Sequence, residues 1–239
     1  MMKKEILSIN PSVLSDIFTR SEVWGGYIDL PYVIRLDGVG FGRILKDFEK
    51  PRDPRVHKAL VDSCRELMKY FNADFCYVVS DEVNIFSFRY NPYSGRFFKI
   101  VSISSSILSS HTSLYLGRPL YFDSRVVKLD NMYRAIPYLL YRARIGFANY
   151  VSKLYTLYID KHTVDLNEMI LKLRERGIDI DFDWRSIGTC LYMSRYIKKG
   201  FNPIDKVYVD VERRVIQESS DITKCVENLL NTVKSLRNQ

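Results

Sequence analysis

The order of hydrophobic periodicities in this sequence predicts an α+β fold: a ferredoxin-like βαββαβ core followed by a C-terminal extension of helices and strands. Three observations predict it. Two segments repeat apolar residues every three or four positions, as helices do. Short runs rich in β-branched and aromatic residues flank them, as strands do. Two of those runs are separated only by Ser80-Asp81-Glu82, which makes them a hairpin. The order is therefore strand, helix, strand, strand, helix, strand.

The first strand is expected over residues 27–36, followed by the turn-prone Asp37-Gly38-Val39-Gly40-Phe41-Gly42. Asp53-Pro54 opens the first helix, with a capping residue followed by proline at the first helical position. Its apolar stripe is Val56, Leu60, Cys64, Leu67 and Phe71. Strands are expected at residues 75–79 and 83–88. The second helix carries Phe97, Ile100, Val101, Ser104, Ile107 and Leu108, and the fourth strand covers residues 121–127. The core thus spans about residues 25–130 and the extension about 131–239, together one catalytic domain over 1–239. The extension opens with a long helix starting near Pro137, on which Arg142 and Asn149 share a face. A helix near residues 165–176, strands near 187–197 and 206–217, and a final amphipathic helix complete it.

The 239 residues carry a formal net charge of +8 and a pI of about 9.2, a balance that suits a polyanionic partner. The carboxyl half concentrates Arg174, Arg176, Arg185, Arg195, Lys198, Lys199, Arg213 and Arg214. Cys64, Cys76, Cys190 and Cys225 form no C-x-x-C pair. Neither a zinc site nor a disulfide framework is expected, and the usage fits a reducing cytoplasm. No apolar run follows Met1-Met2-Lys3-Lys4-Glu5 as a signal peptide would, and no membrane span is expected. The absence of G-x-S-x-G and of a nucleophile–histidine pair argues against acyl transfer. His57 is expected at the surface of the first helix.

In a βαββαβ sheet the first and third strands are antiparallel neighbours. Asp37 and Asp81 then meet at one edge. Two carboxylates brought together repel unless a cation sits between them, and a pair of Mg²⁺ ions would serve phosphoryl transfer. The same aspartates also read as ordinary turn residues. Gly38, Gly40 and Gly42 would let backbone approach a triphosphate, or form a plain glycine loop. Lys50 and Arg52 flank Pro51 and are candidates for phosphate, as are Arg125 and Arg142; the alternative for each is a solvated face.

The segments Ile34-Arg35-Leu36-Asp37-Gly38-Val39-Gly40-Phe41, Lys50-Pro51-Arg52-Asp53, Ser80-Asp81-Glu82 and Phe122-Asp123-Ser124-Arg125 together resemble the histidine-tRNA guanylyltransferase superfamily. These are 3′-to-5′ RNA polymerases, including guanylyltransferase-like proteins that repair tRNA 5′ ends. The resemblance implies a polymerase-type palm in which the 3′-hydroxyl of an incoming nucleotide attacks an activated 5′-phosphate. It implies Asp37, Asp81 and the Gly38 carbonyl as ligands of two Mg²⁺ ions. Lys50, Ser80 and Glu82 would be catalytic. Gly38 to Gly42, Lys50, Ser80 and Asn149 would handle nucleotide, with ATP or GTP activating. Arg125, Arg142, Lys198 and Lys199 are the candidates for RNA phosphates. The implied partners are tRNA and nucleoside triphosphates, and the implied assembly is a homo-tetramer.

Two histidines of the guanylyltransferase pattern are replaced. Gly40-Phe41-Gly42 stands where the family has Asn-Phe-His, and Phe147-Ala148-Asn149-Tyr150 where it has His-Ile-Asn-Asn. The expectation is therefore template-directed 5′-end repair of tRNA. Single-guanosine addition to histidine tRNA and a non-catalytic RNA-binding palm are the alternatives. A nucleotidyl cyclase shares the palm, but its Gly-Gly-Asp/Glu-Glu-Phe signature is missing.

Overall fold

A computed structural model describes residues 2–23, 25–162 and 164–237. Two helices, α1 (Met2–Ser8) and α2 (Pro11–Arg20), precede a two-residue strand, β1 (Glu22–Val23). The core follows as β2 (Tyr32–Gly38), α3 (Phe41–Ile44), α4 (Pro54–Phe71), β3 (Phe75–Val79), β4 (Glu82–Ser87), α5 (Phe97–Leu116) and β5 (Phe122–Lys128). The extension comprises α6 (Ala135–Tyr158), α7 (Leu166–Glu175), α8 (Trp184–Ile187), β6 (Thr189–Asn202), β7 (Val207–Ser219) and α9 (Ile222–Arg237).

The strands form one sheet in the order β1-β5-β2-β4-β3-β6-β7, and every neighbouring pair is antiparallel. The central β5-β2-β4-β3 is the expected ferredoxin-like arrangement, and β6 extends the same sheet. The first strand starts later than its apolar pattern suggests. Pro31 cannot donate to a ladder, so pairing begins at Tyr32 and runs through Asp37. Asp37 is therefore a strand residue rather than a turn residue.

Helix α4 forms as its sequence dictates. The Asp53 side chain accepts the Arg55 amide at the N-terminus, and Asn72 ends the helix in the left-handed region. Leu60, Cys64, Leu67 and Phe71 are buried. In α5 the serine-rich stretch stays helical because Ser102, Ser105 and Ser106 donate their hydroxyls to carbonyls one turn back, leaving the backbone ladder intact.

Both sheet faces are covered. Ile34, Leu36, Cys76, Val78, Val83 and Ile85 share one core with the buried stripes of α4 and α5. Val33, Phe75, Tyr77, Val79 and Phe86 share another with residues of α6, α7 and α9. Every residue of β3 and β4 is buried in consequence; β3 is apolar along its length, as a strand covered on both faces tends to be, while β4 buries Glu82, Asn84 and Ser87 among its apolar residues. Beyond Tyr192, the one strand paired with β6 among the described residues is β7, and that pair continues to Asn202 opposite Val207. That part is an exposed two-stranded arm.

The cysteines depart from expectation. Cys64 of α4 is joined to Cys76 of β3, and Cys190 of β6 to Cys225 of α9. Sequence spacing could not show this, because each pair is made where a helix packs over a strand. Among the described residues no helix is long and apolar enough to cross a membrane.

Candidate active site

Asp37 lies near the end of β2, and Asp81 lies in the two-residue turn between β3 and β4. Ser80 takes a φ of 60°, the positive value that lets so short a connection close. The Gly38 amide donates to the Asp81 carbonyl at 3.0 Å, which fixes the two aspartates' backbones together. In register, Asp37 faces Glu82 on one side and Asp123 on the other. Burial pushes the Asp37 carboxyl up to about 6, with Glu82, Asp81 and Asp123 adding to the rise and Arg35 opposing it.

Glu82 has a different environment. Its carboxylate accepts from Arg142 Nε at 2.8 Å and from a second Arg142 nitrogen, from Arg35 Nε at 2.8 Å and from Asn84 Nδ2 at 2.8 Å. Burial pushes this carboxyl up, but Arg142 and Arg35 outweigh it and hold Glu82 below its ordinary value. The structure places these two site candidates in one enclosed cluster: the Glu82 carboxylate is surrounded by Arg35, Arg142 and Asn84, and the Arg142 guanidinium, itself buried, is paired with Glu82 rather than free for phosphate. A buried carboxylate requires such partners, and no sequence spacing reveals which arginine supplies them.

Two clefts meet at Ser80 and Asp81 and share no other lining residue. The first includes Phe41, Gly42, Lys50, His57, Lys153 and Trp184. The Lys50 ammonium donates to the Leu45 carbonyl at 2.8 Å. Lys153 faces it from α6; burial pushes its ammonium down while the Asp81 charge pulls it up. The second cleft includes Ser15, Thr19, Asp37, Arg125 and Asn149. Arg125 pairs with Asp123 at 2.9 Å. Lys198 and Lys199 line neither cleft; they stand on the arm.

Several sequence readings are revised here. Arg52 is buried and donates to the carbonyls of Gly146 and Arg185, so it ties its loop to α6 and α8 rather than reaching for phosphate. His57 is half-buried, stacked on Trp184 with ring centroids 4.6 Å apart, with Nε2 2.8 Å from Thr189 Oγ1. Burial, reinforced by Arg52, pushes its pKa down to about 4. In the glycine loop, the amides of Gly38 and Val39 are taken by the carbonyls of Asp81 and Tyr121 and are not offered to a nucleotide. Gly38 is needed for another reason: a Cβ there would come within 2.6 Å of the Phe41 ring. Gly40 supplies the left-handed φ of 69° that starts α3. Sequence reasoning missed Lys153, although it lies one helical turn beyond Asn149, and it missed the cleft wall made by α2.

The donor set suits a hard divalent cation. Asp37 holds its proton tightly because it is buried and because carboxylates crowd it, and a cation would relieve the second of these. Among the described residues no group of three or more His, Cys, Asp or Glu side chains forms a metal cage. Mg²⁺ commonly uses one or two carboxylates and completes its shell with substrate phosphates and water. Asp37, Asp81 and the Gly38 carbonyl fit that mode.

A βαββαβ sheet with paired aspartates at its edge, flanked by a lysine-lined cleft, defines a polymerase-type palm. Residues 27–131 match the family model described as tRNAHis guanylyltransferase. The fold is shared with a bacterial tRNA(His) guanylyltransferase-like protein solved in complex with ATP, at a TM-score of 0.64 and 20% identity over 76% of this chain and 87% of that one. The GTP complex of a bacterial protein of the same description gives 0.64 and 20% over 86% and 89%. The tRNA(His) guanylyltransferase of Saccharomyces cerevisiae gives 0.60 and 20% over 73% and 91%. An uncharacterized protein of Acanthamoeba polyphaga mimivirus is 26% identical over 47% of this chain. The match spans 50% of that relative's length.

Proposed function

We propose that this chain is one catalytic unit that adds nucleotides to the 5′ end of tRNA in the 3′-to-5′ direction, choosing each by pairing with the opposite strand. The observation that carries this reading is the meeting of Asp37 and Asp81 where the two clefts join. Lys50 and Lys153 are suited to hold a triphosphate in the first cleft. Asn149 and Arg125 are suited to orient the second reactant on the other side. The 3′-hydroxyl of the incoming nucleotide attacks the activated 5′-phosphate, and AMP or pyrophosphate leaves. Two Mg²⁺ ions held by Asp37, Asp81 and the Gly38 carbonyl would neutralise the phosphate charge.

Template dependence is supported by the two replaced histidines. Gly42 offers the first cleft no ring to hold a base. Phe147 is buried against Phe182 and lines neither cleft. Neither residue can select guanine, so selection passes to base pairing. A cytoplasmic location goes with the tRNA-handling reading alone, since the cysteines, both pairs of which are joined, no longer support it. A homo-tetramer goes with this reading too, for which exposed Phe201, Ile204 and Tyr208 on the arm offer apolar contact; light scattering tests the assembly. The activity test uses tRNAs lacking the first nucleotide, each with a different base opposite the gap. The added base should track the opposing base. Guanosine added regardless of the opposing base would instead identify the single-addition enzyme.

A further inference from the structure

At the end of the sheet remote from Asp81, a second basic cleft lies between Asp74, Arg89, Met193, Arg195, Arg214 and the last turns of α9. Asp74 immediately precedes β3, so the length of that strand, roughly 17 Å, separates it from the catalytic turn. The cleft walls carry three guanidiniums and one carboxylate. Asp74 accepts from Arg89 at 2.5 Å, and Arg195 pairs with Glu212 at 2.8 Å. Arg214 makes no ion pair among the described residues. The hydroxyls of Thr232 and Ser235 donate back to carbonyls of their own helix, so the donors left to the cleft are the arginines.

Two features of this cluster call for an anion. Arg195 and Arg214 are direct cross-strand partners in the β6–β7 ladder. Like charges placed directly opposite each other destabilise a strand pair. Arg89 Nε is buried without a hydrogen-bond partner, an arrangement that costs stability unless a ligand completes it. Asp74 does not satisfy the cluster: burial pushes its carboxyl up, against the combined pull of Arg89, Arg214 and Arg195.

We infer that this cleft binds a phosphate group, held between Arg89, Arg195 and Arg214, at a site separate from the catalytic one. Guanidiniums recognise phosphate oxygens through paired N–H donors, and a phosphate here would screen the opposed arginines. The group can come from an RNA backbone passing along the basic arm or from free phosphate.

The test uses the full chain, unmodified and as Arg214→Gln and Arg214→Lys. Arg214 is exposed, so both variants should fold. The readouts are melting temperature with and without inorganic phosphate, and affinity for a labelled tRNA transcript across a salt series. Arg214→Gln should raise the melting temperature of the free protein, because the like-charge opposition is gone. If RNA is the source, Arg214→Gln lowers the slope of log affinity against log salt by about 0.7–0.9, and Arg214→Lys restores it. If free phosphate is the source, Arg214→Gln removes part of the phosphate-induced rise in melting temperature and leaves the RNA slope unchanged. An Arg214→Gln protein matching the unmodified chain in both the RNA slope and the phosphate response overturns the inference. None of these readouts depends on nucleotide addition.

Discussion

Asp37 has carboxylates on both neighbouring strands and a third across the turn, with Arg35 as its nearest counter-charge at 3.3 Å. Its pKa of about 6 exceeds the ordinary 3.8, so the folded chain holds this proton more tightly than the unfolded chain does. Its contribution to stability is therefore complete below the ordinary value and is lost as pH rises through that interval. The melting temperature of the metal-free protein should fall across that window, and Asp37→Asn should flatten the fall and raise stability above it. Metal ligands must be deprotonated, so stabilisation by Mg²⁺ should fade below about pH 6. An Asp37→Asn protein with the unmodified pH profile would show that the crowding is not felt. At Asp81 the expectation concerns rate. On the proposed reading, Asp81→Ala would remove a ligand from a clamp of several kcal/mol, and about 1.4 kcal/mol is a factor of ten. Nucleotide addition should fall ~100-fold or more while circular dichroism stays unchanged; a folded variant retaining activity would remove Asp81 from the chemistry.

At the scale of elements, what was readable in the sequence depended on how local its cause was. Helix α4 could be read because its cap, its proline and its apolar stripe are all written within it. The β3–β4 hairpin could be read from a connection too short to be anything else. The start of β2 could not, because a strand begins where a partner strand can pair, past Pro31. The Glu82–Arg142 pair, the two disulfides and the α2 wall are products of packing between distant segments, and periodicity carries no trace of them. Arg142 gives this a measurable form. Its removal leaves Glu82 buried with Arg35 as its remaining cation, and breaking a buried pair costs about 3–5 kcal/mol. Urea unfolding of Arg142→Ala should show a loss of that size, with the salt dependence of RNA binding unchanged; a stable variant with weakened RNA binding would restore the phosphate role. The arm behaves oppositely. Lys198 and Lys199 are exposed, so replacing both with alanine should leave stability near that of the unmodified chain. It should lower the RNA salt slope by about 0.7–0.9 for each phosphate that the two lysines neutralise.

For the molecule as a whole, the site's incompleteness links metal, nucleotide and stability. On the proposed reading, two aspartates and one carbonyl would leave half of an octahedral Mg²⁺ shell to be filled by water or phosphate. The cation therefore has little to gain from the protein alone. A triphosphate alone meets Lys50 and Lys153 but also Asp81 in the same cleft. Together the two ligands satisfy each other: phosphate oxygens complete the metal shell, and the metal screens phosphate from the aspartates. Binding to the folded state stabilises it by about 2.7 kcal/mol when ligand is at a hundred times its dissociation constant. Mg²⁺ with ATP should accordingly raise the melting temperature by more than the sum of the two separate rises. Asp37→Ala should erase the excess, because the pair then shares one carboxylate. Lys153→Met should reduce the nucleotide's own contribution and leave the response to Mg²⁺ alone intact. Strictly additive rises in the unmodified chain would mean that metal and triphosphate occupy independent sites, and the junction of the two clefts at Asp81 would then lose its place as the reaction centre.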